Sequence, residues 1–401
     1  MDLSDTSNSG TWNRTSLLSA VVTRMVPRQR EERHRASTPL ELFFDLCFVV
    51  AVAQAGAQLA HALAAGHVWQ ALPHYLFVFF GVWWAWVNFT WFASAYDTDD
   101  VPYRVATFVQ ITGALVFAAG VPRMFEGHLA VGVLGYVIMR VVLVTQWLRV
   151  AQAGEGVERT MALRYAGGVA CVQALWVVLL FLPHFAQSWV PLLLVPCELL
   201  VPALAERDCR TSWHAGHIAE RYGLFTLIVL GETVAAATIA VQTGLNDHGG
   251  LGRVLPIAAG GLLICFSAWW IYFARPVEEY LSSNRQAFVW GYGHYLVFLT
   301  AAAVGAGLEV AVQHATGTAE ISARLAAAVV TVPTAVFLFV VWALHARHGK
   351  VGASQWVLPL AALAVLAVTP VGGPWAVFAA GAVCAAATAV GLLLHLRTTA
   401  T

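Results

Sequence analysis

Residues 39–61 read PLELFFDLCFVVAVAQAGAQLAH. An α-helix of that length, rising 1.5 Å per residue, covers the roughly 30 Å hydrocarbon thickness of a bilayer. Its acids, Glu41 and Asp45, lie in the first two turns, and no charge follows until the stretch ends. They are four residues apart, so both carboxylates project from one helix face. A soluble helix would carry a charged face along its whole length; this one has charge at one end and apolar residues beyond it.

The same pattern recurs along the chain. Runs of comparable character fall at 39–61, 73–95, 104–121, 129–148, 165–183, 189–205, 221–242, 254–274, 287–312, 326–345, 354–369 and 375–396. The expected fold is therefore all-α: a polytopic integral membrane helix bundle of about twelve transmembrane helices. Composition agrees. Charged residues make up 11% of the 401 and hydrophobic residues 59%, with mean hydropathy +0.70. A soluble chain of this size carries roughly a quarter charged residues.

Orientation follows from the Lys/Arg bias, because cytoplasmic loops hold the excess of positive charge. With the N-terminus inside, 18 of the 22 basic residues fall on the inner side; Arg123, Arg253 and Arg324 fall outside, and Arg140 lies within the fourth span. Both termini are thus expected in the cytoplasm. Residues 1–38 read as a flexible basic leader, 39–205 as a first six-helix half, 206–220 as a cytoplasmic linker and 221–401 as a second half. Net charge is zero, and no basic face for nucleic acid is visible. The expected partners are the lipid bilayer and a small-molecule or lipidic substrate; oligomeric state is not encoded in the pattern.

An internal duplication is suggested by the matching stretches Phe80–Trp86 and Phe266–Tyr272, at offset 186. Glu41 against Glu220 and Gln110 against His294 have similar offsets. Two six-helix units would then face the same way, as a parallel repeat.

Ionisable residues inside apolar spans are expensive and need a reason. Glu41, Asp45, Glu198, Glu232 and Glu309 are the acids in question, with Glu220 at an entrance; Arg140 and His294 are the basic counterparts. Glu232 follows Glu220 by twelve residues, about 18 Å along a helix, and so lies near mid-membrane. Overlapping depths point to an ion-pair or proton-exchange cluster around Glu41, Asp45, Glu198, Glu232 and His294. The competing interpretation is structural pairing, with Arg140 neutralising one or two acids. Trp84, Trp86, Trp269, Trp270, Tyr272 and Gln110 are candidates for lining a substrate cavity, although aromatic residues near span ends also form interfacial belts. His214-x-x-His217-x-x-Glu220 has a spacing that could align three metal ligands, but its polar setting reads as a solvated interfacial turn. The Asp97, Asp99, Asp100 run reads as a solvated loop. No metal and no cofactor are expected, and the phosphate-binding, dinucleotide and nucleophile-elbow motifs are absent.

These residues carry a resemblance. Thr38-Pro39-Leu40-Glu41 through Asp45-Leu46, Tyr96 to Asp100, His217 to Phe225, Leu230-Gly231-Glu232, Gly293-His294 and Gly307-Leu308-Glu309 together make the chain similar to the bacterial low temperature requirement A family. The resemblance implies a multi-pass bacterial membrane protein and places Glu41, Asp45, Glu220, Arg221, Glu232 and His294 on motif positions. It implies no activity. Twelve spans, a suspected repeat and buried acids point to a proton-coupled secondary transporter of a small organic or amphiphilic solute. The alternatives are a membrane enzyme using a buried carboxylic acid on a lipid or isoprenoid, for example in terpene cyclisation, and a non-catalytic sensor or assembly factor.

Overall fold

Thr38 ends the polar leader and starts the first helix. Its hydroxyl accepts from the Glu41 amide, the Glu41 carboxylate accepts from the Thr38 amide at 2.8 Å, and Pro39 fills the first helical position. That reciprocal cap satisfies two amides no helix can satisfy internally. The computed structural model describes residues 22–28, 35–246, 251–281, 283–346 and 352–399, and all regular structure among them is helical.

Helices α1 (Pro39–Ala64), α2 (Val68–Tyr96), α3 (Val101–Phe125), α4 (Ala130–Ala153) and α5 (Gly156–Leu179) come first. A short α6 (His184–Trp189) leads into α7 (Pro191–Ala205). Then follow α8 (Ala215–Asn246), α9 (Leu251–Phe273), α10 (Asn284–Ala315), α11 (Ala323–Val341), α12 (Val357–Val368) and α13 (Gly373–Thr399). Eleven spans among the described residues are long and apolar enough to cross a membrane. The protein is a polytopic membrane helix bundle.

The expected sixth span is shorter than the others. α7 has 15 residues, about 22 Å, which falls short of a straight crossing. The seventh begins earlier than expected, at Ala215 rather than 221. His217, Glu220 and Arg221 are consequently helical, and the linker contracts.

Two helices form the centre. Over their most apolar windows, α2 is 72% and α10 78% buried inside the protein, while α13 is 28% buried. α1 packs on α2, α3, α8 and α10; α3 packs on α4, α4 on α5, and α5 on α7. In the second half α8 packs on α9 and α10, α10 on α11, α11 on α12, and α12 on α13. The order of neighbours is alike in both halves. The central pair is not related by the suspected duplication, however, since α2 would correspond to α9. The broad α9–α13 contact also has no counterpart of similar extent between α2 and α7.

Close contacts depend on glycine. A Cβ on Gly135 would lie 2.4 Å from the Phe117 amide nitrogen, closing the α3–α4 contact to any other residue. Gly260 faces the Val377 carbonyl at 2.5 Å across α9–α13 in the same way. Small residues let backbones approach where the hydrophobic effect gives no drive between helices.

The described parts of the leader lie against the bundle. Met25 is 2% exposed, the Thr23 amide donates to Asp100, and the Arg28 amide donates to the Ala95 carbonyl at 2.9 Å. The remainder, 1–21 and 29–34, lies outside the described residues.

Candidate functional site

α1 and α8 start at the same end of the bundle and run side by side, and their first turns carry matching ladders. Glu41 and Asp45 are four residues apart on α1; His217 and Arg221 are four apart on α8. Glu41 faces His217 and Asp45 faces Arg221, each pair 176 residues apart in sequence. The constant separation means that the two helices are parallel and in register here.

The Arg221 guanidinium donates through Nε and Nη2 to the two oxygens of Asp45, at 3.1 and 2.5 Å, and its Nη1 lies 3.1 Å from Glu41 Oε1. The fork geometry matches a carboxylate along two parallel bonds. His217 Nε2 is 3.1 Å from Glu41 Oε1, and Trp86 Nε1 donates to Asp45 Oδ1 at 2.6 Å. Glu41, Asp45, His217 and Arg221 are all fully buried.

A second tier closes the cluster from the end of the bundle. Arg35, from the leader, donates to the carbonyls of Ser94 and Ala93 at the end of α2. Its Nη2 lies 4.0 Å from Glu41 Oε1 and 3.8 Å from Asp97 Oδ2. Burial, followed by the repulsion of Glu41, pushes the Asp97 carboxyl up to about 6. The solvated loop expected for the acidic run is therefore corrected for two of its three members: Asp97 and Asp100 are 7% and 6% exposed. The leader covers Asp97. Asp100 caps α3 at the Tyr103 amide and pairs with Arg149 on α4 at 2.6 Å. Asp99 remains exposed, with a left-handed backbone (φ 48°), and pairs with Arg104. The solvated turn expected for His214 to Glu220 is corrected likewise, because α8 already includes His217; Glu220 accepts from the Ser37 amide at 3.2 Å.

A separate buried group lies deeper. Glu198 on α7 accepts from Trp84 Nε1 (3.0 Å), Trp176 Nε1 (3.1 Å), the Tyr136 hydroxyl (3.2 Å) and Arg140 Nη2 (3.3 Å). Four donors satisfy the carboxylate side of this ion pair. Among the described residues, Arg140 Nε and Nη1 have no hydrogen-bond partner. Gln110 is buried on α3 and donates to the Met139 carbonyl at 3.4 Å.

A third group is neutral. His294 Nδ1 is 2.7 Å from the Trp290 carbonyl, which can only accept, so Nδ1 carries the proton and Nε2 accepts from the Tyr272 hydroxyl at 2.9 Å. Trp290 Nε1 donates to His345 Nε2 at 3.1 Å. Tyr222 bridges this group to the first cluster through ring contacts of 4.9 Å with both His294 and Trp86.

The acids do not converge on one pocket. Glu41, Asp45 and Arg221 meet, Arg140 and Glu198 meet, and His294 meets Tyr272. Glu232 stands eleven residues beyond Arg221, about 16 Å along α8, half-buried, with no hydrogen bond or ion pair among the described residues. Glu309 is engaged by Gln313 on its own helix at 3.1 Å. The aromatic candidates also part company. Trp84 and Trp86 are 1% and 0% exposed, whereas Trp269 and Trp270 are 45% and 46% exposed. His217 and Asp97 were expected in solvated stretches rather than in a buried cluster, and Arg35, Tyr136 and Trp176 were not expected at a site. The i, i+4 pairing of His217 with Arg221, matched to Glu41 with Asp45, was the signal available for the first.

A family model described as bacterial low temperature requirement A protein matches residues 36–394. The chain belongs to that family. An uncharacterised protein of Rhizobium meliloti (strain 1021) is 29% identical over 265 residues, a match covering 63% of this chain and 61% of that protein. The low temperature requirement A match begins one residue after Arg35 and so takes in the capping box, both four-residue ladders and the Arg140–Glu198 pair.

Proposed function

We propose that this multi-pass membrane protein is a proton-coupled secondary transporter of a small organic or amphiphilic solute, with the α1–α8 ion cluster as its inner gate. The observation that carries the proposal is the origin of Arg221's ionic partners: both come from α1, so the buried charges join the two halves of the chain at one end of the bundle. A seal of this kind closes when the charges meet and opens when they part.

The charge count supports proton coupling. Three carboxylates (Glu41, Asp45, Asp97) face two guanidiniums (Arg35, Arg221) and one imidazole (His217). With His217 neutral the cluster carries one negative charge too many, and one proton on His217 or Asp97 balances it. In a low-dielectric site that imbalance is costly, so the cluster takes up a proton when shut and releases one when water enters. Glu232, near mid-span and without an ionic partner among the described residues, is the second carrier on the same helix. The Lys/Arg bias supports a cytoplasmic position for this end and for both chain termini.

The test uses purified protein in liposomes exposed to a bacterial metabolite extract, with mass spectrometry of the lumen. A pH gradient should drive accumulation of at least one solute in unchanged chemical form, and Glu41→Gln should abolish it. Conversion of an extract component to a new product by protein in detergent, where no gradient exists, would overturn transport in favour of catalysis.

A further inference from the structure

A small cavity lies at the same end of the bundle as the α1–α8 cluster. The last turns of α2, α4 and α7, the early turns of α5 and α10, and the segment 206–211 wall it. Its volume is about 40 Å³, room for about three water molecules, and so for one compact head group rather than a whole drug-sized solute.

Rings supply most of the wall. Trp147 and Tyr165 stack in parallel with centroids 4.0 Å apart. Trp91, Phe288 and Tyr292 form a second run, Phe288 lying 6.2 Å from Trp91 and 5.7 Å from Tyr292. The polar hydrogens of this second run are engaged outside the cavity: Trp91 Nε1 donates to the Tyr222 hydroxyl at 3.0 Å, and the Tyr292 hydroxyl to the Leu199 carbonyl at 3.3 Å.

Glu206 is the only charged residue among the described lining residues. It accepts from the Tyr165 hydroxyl (2.8 Å), the Thr211 hydroxyl (2.7 Å), Asn284 Nδ2 (2.8 Å) and the Thr211 backbone amide. Four donors match the four lone-pair positions of a carboxylate, yet all four are neutral. No ion pair reaches Glu206 among the described residues. Its oxygens are satisfied and its charge is not cancelled. Burial pushes this carboxyl above its ordinary value, the direction expected of a carboxylate with no cation beside it.

We propose that this cavity holds a quaternary, methylated ammonium group. Ring faces attract a cation, the more strongly out of water, and Glu206 supplies the opposite charge. Such a group donates no hydrogen bond and so needs no free lone pair on Glu206, whereas a primary ammonium or a guanidinium would need acceptors that are already taken. The group belongs either to a free choline-like solute or to the head of a choline lipid, two sources of the same chemistry. Where it names the transported solute the inference rests on the transport reading; binding itself does not require the α1–α8 gate.

The probe is tritiated choline, bound to the full chain in phosphatidylglycerol nanodiscs and read by scintillation proximity. Saturable binding is expected, displaced by tetramethylammonium and at least tenfold less well by 3,3-dimethylbutanol, the uncharged carbon isostere of choline. Glu206→Gln should weaken choline at least tenfold. Phe288→Leu, which removes a ring and no hydrogen bond, should weaken it at least threefold. The same titration in phosphatidylcholine nanodiscs separates the sources: loss of choline binding there assigns the site to a lipid head, and unchanged binding assigns it to a free solute. No saturable binding in phosphatidylglycerol, equal displacement by choline and its uncharged isostere, or unchanged choline affinity in either variant that folds would overturn the proposal. Glu41→Gln should bind choline normally, which separates failure of this site from failure of the gate.

Discussion

At the scale of single residues, the strongest expectation concerns Arg221. Removing one member of a buried pair leaves an uncompensated charge, at a cost of about 3–5 kcal/mol, whereas replacing both partners by apolar groups of similar volume is often neutral. Arg221→Met alone should therefore lower the melting temperature in detergent more than Arg221→Met/Asp45→Leu does. A double variant no more stable than the single one would show that Arg221 is not held chiefly by Asp45. Asp97 gives the pH dependence. Its folded value is raised to about 6, above the ordinary value near 3.9, so the folded protein holds the proton more tightly. This carboxyl then favours folding below about pH 4, and that contribution is lost as pH rises through about 6. Asp97→Asn should raise the melting temperature at pH 7.5 relative to the parent, with a gap that closes on acidification to pH 4. A melting temperature lowered at pH 7.5 would contradict the assignment.

Glu41 and Asp45 were legible in the sequence because charge within an apolar run has no cheap explanation. Their partners were less so. His217 stood in a stretch that reads as polar loop, and Arg35 in a leader with no periodicity. Whether such residues are buried depends on where the leader is laid and where α8 begins, both of which are tertiary outcomes. Glu232 shows the converse: its depth was legible, but depth does not fix which neighbour it meets.

At the scale of elements, the apolar runs identified the crossings because a span is a length and composition problem. α7 escaped because an apolar run of 17 residues, 189–205, is divided between the end of α6 and a 15-residue helix. Helix contacts set by glycine were legible only as composition; which backbone each glycine meets required the fold. Gly260→Leu, placed against the Val377 carbonyl, should abolish a monodisperse elution profile. Gly167→Ala, with nothing within 4 Å of the added carbon, should be tolerated and slightly stabilising, since Gly costs a helix interior about 1 kcal/mol relative to Ala. Equal tolerance of both would mean that α9 and α13 do not pack as described. The Trp83–Trp86 and Trp269–Tyr272 stretches look alike in sequence, yet Trp84 and Trp86 face a protein core and Trp269 and Trp270 face outward. Sequence similarity carried the helix type and not its surroundings.

At the scale of the whole molecule, orientation was read from charge and the gate from the packing of α1 on α8. Cysteines introduced at Arg123 and Arg210, in a chain whose six native cysteines are replaced, test the first. In intact cells an impermeant maleimide should label position 123 and leave 210 unlabelled until the membrane is opened; the reverse pattern would invert the topology. The proposed gate requires α1 and α8 to separate during turnover. Its most direct test is a crosslink across their ends. Cysteines at Ser37 and Glu220, which are joined by a hydrogen bond at 3.2 Å, can be bridged through reducible disulfides by a short bis-methanethiosulfonate in proteoliposomes. Loss of gradient-driven uptake on crosslinking, with recovery on reduction, is the expected result. Full uptake with the bridge in place would contradict the gate.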